Sequence, residues 1–286
     1  MKVRTGLHLT NFGFPGIAPA ERFGHALAIA RTAEESGFDT LWVNDHLVEA
    51  QPPNQGGSRP DAYIYLATVA AQTTRIRLGT LASSIYFRNP AVLARMAVTL
   101  NDASYGRAIL GIGAGHPKTE GEHRMFGLEF PPLRERIDHL ESALPRLREL
   151  VGPIPILVAG SGEHRLLRVV ARYGDMCNLS MPSGDTLDMT RHRLDVLKAH
   201  CTAVGRDYAT ITKTYKGLLT AEGGRGGEDH TGLFAGDADS VLRGAQEFID
   251  LGIDELILQV ADVHDLAAVR SAGETLARLK PVGLLV

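Results

Sequence analysis

Eight short β-prone segments, each followed by a helix-length stretch, set the tightest limit on what this chain can fold into. The strand segments run from Val3 to Thr10, Thr40 to Val43, Arg77 to Ala82, Ala108 to Ile112, Ile154 to Ala159, Met176 to Ser180, Ile211 to Thr220 and Glu255 to Val260. Between them lie helical patterns at Ala20 to Ser36, Asp61 to Thr73, Asn89 to a closing turn at Ser104 to Arg107, Leu133 to Leu150, Glu163 to Tyr173, Met189 to Val204 and Asp239 to Leu251, with a last helix to Lys280. Strands separated by helices imply a parallel sheet of the α/β class, and eight of them imply closure into a TIM-type (β/α)8 barrel. Such a barrel takes ~250 residues, so 286 residues are read as one domain over residues 1–286.

Composition narrows the function. The chain is 44% hydrophobic and 22% charged, with a formal charge of -3 and both signs interspersed. No basic stripe for nucleic acid and no polybasic membrane anchor stands out, and no apolar run nears the ~20 residues of a membrane span. Cys177 and Cys201 are too few for a disulfide framework, and the first residues lack a secretory apolar core, so a cytoplasmic address is expected. No HExxH, paired CxxC, P-loop or GxSxG pattern occurs, and no metal site is expected.

The stretch from Arg77 to Gly115 forms a strand–helix–strand unit around which the rest is organised. Asn89 and Pro90 open a helix whose Val92, Leu93, Met96, Ala97 and Leu100 recur at three- and four-residue spacing. The following strand ends in Gly113, Ala114 and Gly115, small residues that let a flat ligand approach the backbone. In a barrel of this kind active sites are built from the βα loops at one face. The loops after the second, fourth and seventh strands are long: Val48 to Pro60, His116 to Pro131 and Glu222 to Gly236, the last a candidate lid. His46 follows the second strand beside Asp45, at the catalytic face. Gly160, Ser161 and Gly162 follow the fifth strand and precede a helix, where free N–H groups and the dipole favour an anion.

LGT at Leu78, RNPAVLARMAVTLNDASYGR at Arg88 and GIGAG at Gly111 together resemble the signature block of the bacterial-luciferase-like oxidoreductases, in the branch that uses the deazaflavin coenzyme F420. The resemblance extends through GFDTLWVNDH at Gly37, EHRMFGLEFPPLRERIDHLE at Glu122 and ILVAGSGEHRLLRVVARYGDMCN at Ile156. It implies a luciferase-like barrel with long βα loops and hydride transfer between F420 and a small-molecule or peptide-like substrate. The reaction would be reduction of an activated C=C, C=N or C=O bond, or the reverse. It also implies a homodimer, for which the apolar AYIYLATVAAQ helix gives a second motive. The alternatives are an FMN-dependent monooxygenase on the same barrel and a flavin- or deazaflavin-binding protein without turnover.

Site roles come with the resemblance. His46 would lie near the redox-active carbon and exchange a proton, with His116 as the other candidate. Asp45 would contact the cofactor or orient the imidazole. Leu81, Ala82, Ser83 and Ser84 would back the ring through a non-prolyl cis peptide at Leu81–Ala82. Gly113, Ala114 and Gly115 would flank the ring, and Gly160, Ser161 and Gly162 would hold the phosphate, with His164, Arg165 and Arg168 adding positive charge. The chain departs from the family's sugar-phosphate dehydrogenases in carrying His116 where they carry an acid. It also shortens the segment between the fourth helix and the fifth strand to Val151 to Pro153.

Overall fold

The computed structural model describes residues 3–49, 57–179, 186–220 and 234–279. In chain order these form β1 (Arg4–Leu9), α1 (Arg22–Ser36), β2 (Thr40–Val43), α2 (Ala62–Ala70), β3 (Arg77–Thr80), β4 (Ser83–Ser84), α3 (Pro90–Ala103), β5 (Ala108–Gly113), α4 (Glu120–Met125) and α5 (Leu133–Val151). They continue with β6 (Ile156–Ala159), α6 (Leu166–Tyr173), β7 (Met176–Asn178), α7 (Leu187–Val204), β8 (Thr212–Thr220), β9 (Phe234–Ala235), α8 (Ala238–Asp250), β10 (Glu255–Val260) and α9 (Leu266–Leu276). The strand order β10-β1-β2-β3-β5-β6-β7-β8 is parallel throughout, and β8 pairs back to β10 to close the barrel. The expected (β/α)8 barrel is therefore the observed one.

Local chemistry sets the elements. Asp61 caps α2 by accepting from the amides of Tyr63 and Ile64, and Asn89 caps α3 by accepting from Ala91 with Pro90 just inside. Both helices start where the sequence places them.

The barrel floor is built on Trp42. Its ring fills the interior because the facing positions on both adjacent strands are glycine. A Cβ on Gly6 would stand 2.7 Å from Trp42 Cδ1, and one on Gly79 would stand 2.6 Å from Cζ3. The indole Nε1 donates to the fully buried Glu255 carboxylate at 2.8 Å. Ile109, Leu157, Met176 and Ile257 complete this inner layer, with Leu81 and Ala159 packed on it from the catalytic side.

Three boundaries differ from expectation for identifiable reasons. The third strand ends at Thr80, because the Leu81–Ala82 peptide is cis and the chain resumes pairing only as β4 against β5. Gly111 admits this detour, since a Cβ there would lie 1.7 Å from the Thr80 carbonyl oxygen. The connection His116 to Pro131 contains a 3-10 turn at Pro117–Thr119 and then α4. Helix α6 starts at Leu166 rather than Glu163, after a turn in which Leu166 folds back over Gly160. Of the expected lid, residues 222–233 lie outside the described residues, as do residues 50–56 of the second loop, Ser180 and Lys280. Among the described residues no helix is long and apolar enough to cross a membrane.

Candidate active site

His46 sits in the loop after β2, and α4 meets it there from the loop after β5. Its Nδ1 lies 2.9 Å from Glu122 Oε2. The other carboxylate oxygen, Oε1, accepts from the backbone amides of Leu47 and Val48. Burial pushes the Glu122 carboxyl upward, but the His46 hydrogen bond and charge and the two amides outweigh it and hold the group below its ordinary value. An ionised Glu122 accepts only, so His46 Nδ1 carries the proton and Nε2 is left to give or take one. The carboxylate thus fixes the orientation of the imidazole.

The pairing depends on how α4 is docked. His123, the neighbour of Glu122, is fully buried. Its ring stacks on Phe87 at 4.5 Å, its Nδ1 meets the Thr119 carbonyl and its Nε2 meets Ser84 Oγ at 3.3 Å. Consecutive helix residues point about 100° apart. Fixing His123 against the β4 bulge therefore turns Glu122 toward His46.

Asp45 does not orient the imidazole, contrary to one of its two expected roles. Arg88 Nη1 and Nη2 donate to its two oxygens at 2.6 and 3.1 Å, and Nη2 also reaches Asp61 at 2.6 Å. The buried carboxylate thus ties the end of β2 to the start of α2, and Glu122 takes the orienting role. Neither the Asp45–Arg88 nor the His46–Glu122 pairing has a periodic sequence signal. The only hint of Glu122 is its place in the EHRMFG block.

His116 lies at the rim and is exposed, its Nδ1 accepting from the Lys118 amide at 3.2 Å. Partial burial, then Lys118, His46, Lys216 and Arg136, lower its pKa. Leu81 and Ala82 are half-buried at the barrel mouth, joined by the cis peptide that the resemblance implies. Ser83 and Ser84 turn their hydroxyls into the protein, toward Tyr63 and Thr80 and toward His123 and Tyr86 respectively. Gly113 pairs with Ser84 and Ala159 across the neighbouring strands, while Arg136 donates to the carbonyls of Ala114 and Gly115 at 2.8 and 2.6 Å.

On the neighbouring strand, Gly160, with a φ of 120°, and the buried Ser161 follow β6, with Gly162 exposed beside them. Arg165 and Arg168, expected to add charge there, instead pair with Asp138 and Glu141 of α5. His164 is exposed. Among the described residues no group of three or more His, Cys, Asp or Glu side chains could hold a metal ion.

The fold is thus a closed parallel α/β barrel with a histidine–carboxylate pair at its C-terminal face and a small-residue bulge beside it. The chain belongs to the luciferase-like monooxygenase family, whose model matches residues 3–222. An F420-dependent glucose-6-phosphate dehydrogenase of Kineococcus radiotolerans is 33% identical over 228 residues, 69% of this chain and 64% of that protein. The chain thus matches less than two thirds of the length of that curated relative. A solved F420-dependent secondary alcohol dehydrogenase, in complex with an F420-acetone adduct, superposes with a TM-score of 0.78 at 18% identity, covering 98% of this chain and 100% of its own. The oxygenating constituent of 3,6-diketocamphane monooxygenase from Pseudomonas putida, in complex with FMN, gives 0.75 at 17% identity with full coverage of both chains. At these identities the two structures share the fold.

Proposed function

We propose that this protein is a coenzyme F420-dependent oxidoreductase acting on a small organic substrate, by reduction of an activated C=C, C=N or C=O bond or the reverse. The observation that carries the reading is the His46–Glu122 pair at the mouth of a barrel whose relatives in sequence are named F420-dependent enzymes.

The mouth fits a flat heteroaromatic ring. Leu81 and Ala159 give it a small apolar floor, and the buried His8 Nδ1 on its wall has no hydrogen-bond partner within the protein. The Gly160–Ser161–Gly162 turn, with Gly162 exposed, is the proposed seat of the anionic side chain. When bound, the deazaflavin supplies the hydride chemistry. His46 Nε2 holds or releases the proton that the substrate exchanges, and Glu122 keeps the imidazole in the tautomer that permits it. The bulge at Leu81 to Ser84 and the glycines of β5 orient the ring, while the apolar floor excludes water. Asp45, with both oxygens on Arg88, shapes the loop that carries His46.

His116 stands where the family's sugar-phosphate dehydrogenases carry an acid, so a sugar phosphate is not the substrate class put forward. A homodimer is part of the same proposal. Ile64 on α2 and Val92 on α3 are 64% and 54% exposed on adjacent helices, an apolar surface that a second copy would cover.

Titration of the purified protein with oxidised F420 and with FMN tests the assignment. Micromolar or tighter binding of F420 with much weaker binding of FMN is the expected result. Equal or tighter binding of FMN moves the function to the monooxygenase alternative.

A further inference from the structure

Two inward-facing residues from opposite sides of β10 carry an acceptor and a donor for which the proton exchange has no use. His8 pairs in register with Trp42, so its ring points into the barrel, and it is 2% exposed. Its Nε2 lies 2.8 Å from Asn44 Oδ1, and Asn44 Nδ2 in turn donates to the Thr10 carbonyl at 3.5 Å. That network fixes Nε2 as the protonated nitrogen and leaves Nδ1 as an acceptor. Nδ1 is buried and has no partner. A buried acceptor without a donor is costly to maintain unless something that binds supplies one.

Lys216 pairs in register with Ile257 of the inner layer, so it too faces inward, one level below His8 on the far side of β10. After burial, its charge is what weighs most on His8, and it also bears on His116 at the rim. A half-buried lysine facing into the barrel is suited to an anion or a partly negative oxygen.

We propose that His8 and Lys216 together read the imide edge of the ring bound in the barrel mouth: His8 Nδ1 accepts from the ring N–H, and the Lys216 ammonium faces the adjacent oxygen and nitrogen on which negative charge collects in the reduced coenzyme. This rests on the deazaflavin reading above and deepens it. An acceptor and a cation set side by side complement an N–H flanked by carbonyls. A substrate carboxylate or phosphate brings no N–H and so would leave His8 Nδ1 without a donor. The pair would make the protein hold the reduced coenzyme more tightly than the oxidised one, and so raise the bound coenzyme's reduction potential.

The test measures dissociation constants of oxidised and reduced F420, and the midpoint potential of the bound coenzyme, for the wild type, Lys216→Met, Lys216→Arg and His8→Leu. Lys216→Met is expected to weaken the reduced form at least tenfold more than the oxidised form. For a two-electron couple a tenfold difference lowers the potential by ~30 mV, and Lys216→Arg should restore most of it. An N3-methylated deazaflavin is expected to bind the wild type at least tenfold more weakly than its parent, and His8→Leu should abolish that discrimination. The N3-methyl comparison in the wild type needs no variant to fold. Wild-type protein that binds the coenzyme but ignores N3-methylation, with Lys216→Met leaving both constants and the potential unchanged, overturns this proposal alone. An increased KM for an anionic substrate with unchanged coenzyme binding likewise overturns it. Wild-type protein with no affinity for the deazaflavin overturns the function proposed above and this inference with it.

Discussion

His46 and Glu122 stand 76 residues apart in the chain and 2.9 Å apart in the fold, Nδ1 to Oε2, with the same carboxylate gripping the amides of Leu47 and Val48. One side chain thus sets both the tautomer of the histidine and the path of the loop that carries it. Replacing Glu122 by Gln keeps the shape and removes the charge. Turnover should fall by ~10–10²-fold, less than the ~10²–10⁴-fold that a positioned acid or base itself contributes, with a shifted pH profile and little change in coenzyme affinity. A KM effect alone, with kcat and its pH profile intact, would show that the pair serves only structure.

His46→Ala should lower turnover by ~10²–10⁴-fold, the usual contribution of a positioned acid or base. Coenzyme affinity should change far less, because the anion-binding turn at Gly160 to Gly162 lies on a different loop. His116→Ala is measured beside it. Near-normal turnover for the first and loss for the second would transfer the proton role to the rim histidine.

Ser161→Asp places a carboxylate in the turn proposed to hold the phosphate. The dissociation constant for F420 should rise at least tenfold, while thermal unfolding of the protein without coenzyme stays close to wild type. An unchanged constant removes the site.

Burial, with Lys216 next, presses the pKa of His8 down to about 3 from 6.5. Between those values the unfolded chain takes up a proton that the folded protein refuses. The sign is therefore fixed: this contribution to stability is complete above pH 6.5 and is lost progressively as the pH falls toward about 3. Denaturant unfolding followed across that window should show a smaller fall in stability for His8→Leu than for the wild type. Equal slopes would mean that His8 is protonated in the folded state.

Gly79→Ala should destabilise the barrel by ~1–3 kcal/mol through overpacking, because the new methyl would meet the Trp42 ring at 2.6 Å. Thermal melting checks it. A melting temperature equal to wild type would mean that the indole can yield.

Self-association rests on Ile64 and Val92. Ile64→Glu should yield a monomer by light scattering with coenzyme affinity unchanged, whereas a monomeric wild type at working concentration refutes the dimer outright.

The alternation of strand and helix patterns, the caps at Asp61 and Asn89 and the glycines of β5 were all legible in the sequence, because each is a local property. A period, a cap or a missing Cβ acts within a few residues of where it is written. That was enough for the closed barrel and for the face on which His46 would lie. Tertiary structure decided the partners. Asp45, adjacent to His46 in sequence, is turned to Arg88, while Glu122 arrives from a helix that is held in place by His123 on Phe87 and Ser84. His8 and Lys216 are brought onto one wall by closure of β8 and β1 around β10. Such pairings follow from the docking of a short helix and the stagger of a closed sheet. Those are set by packing among residues far apart in the chain, and no local pattern of residues records them.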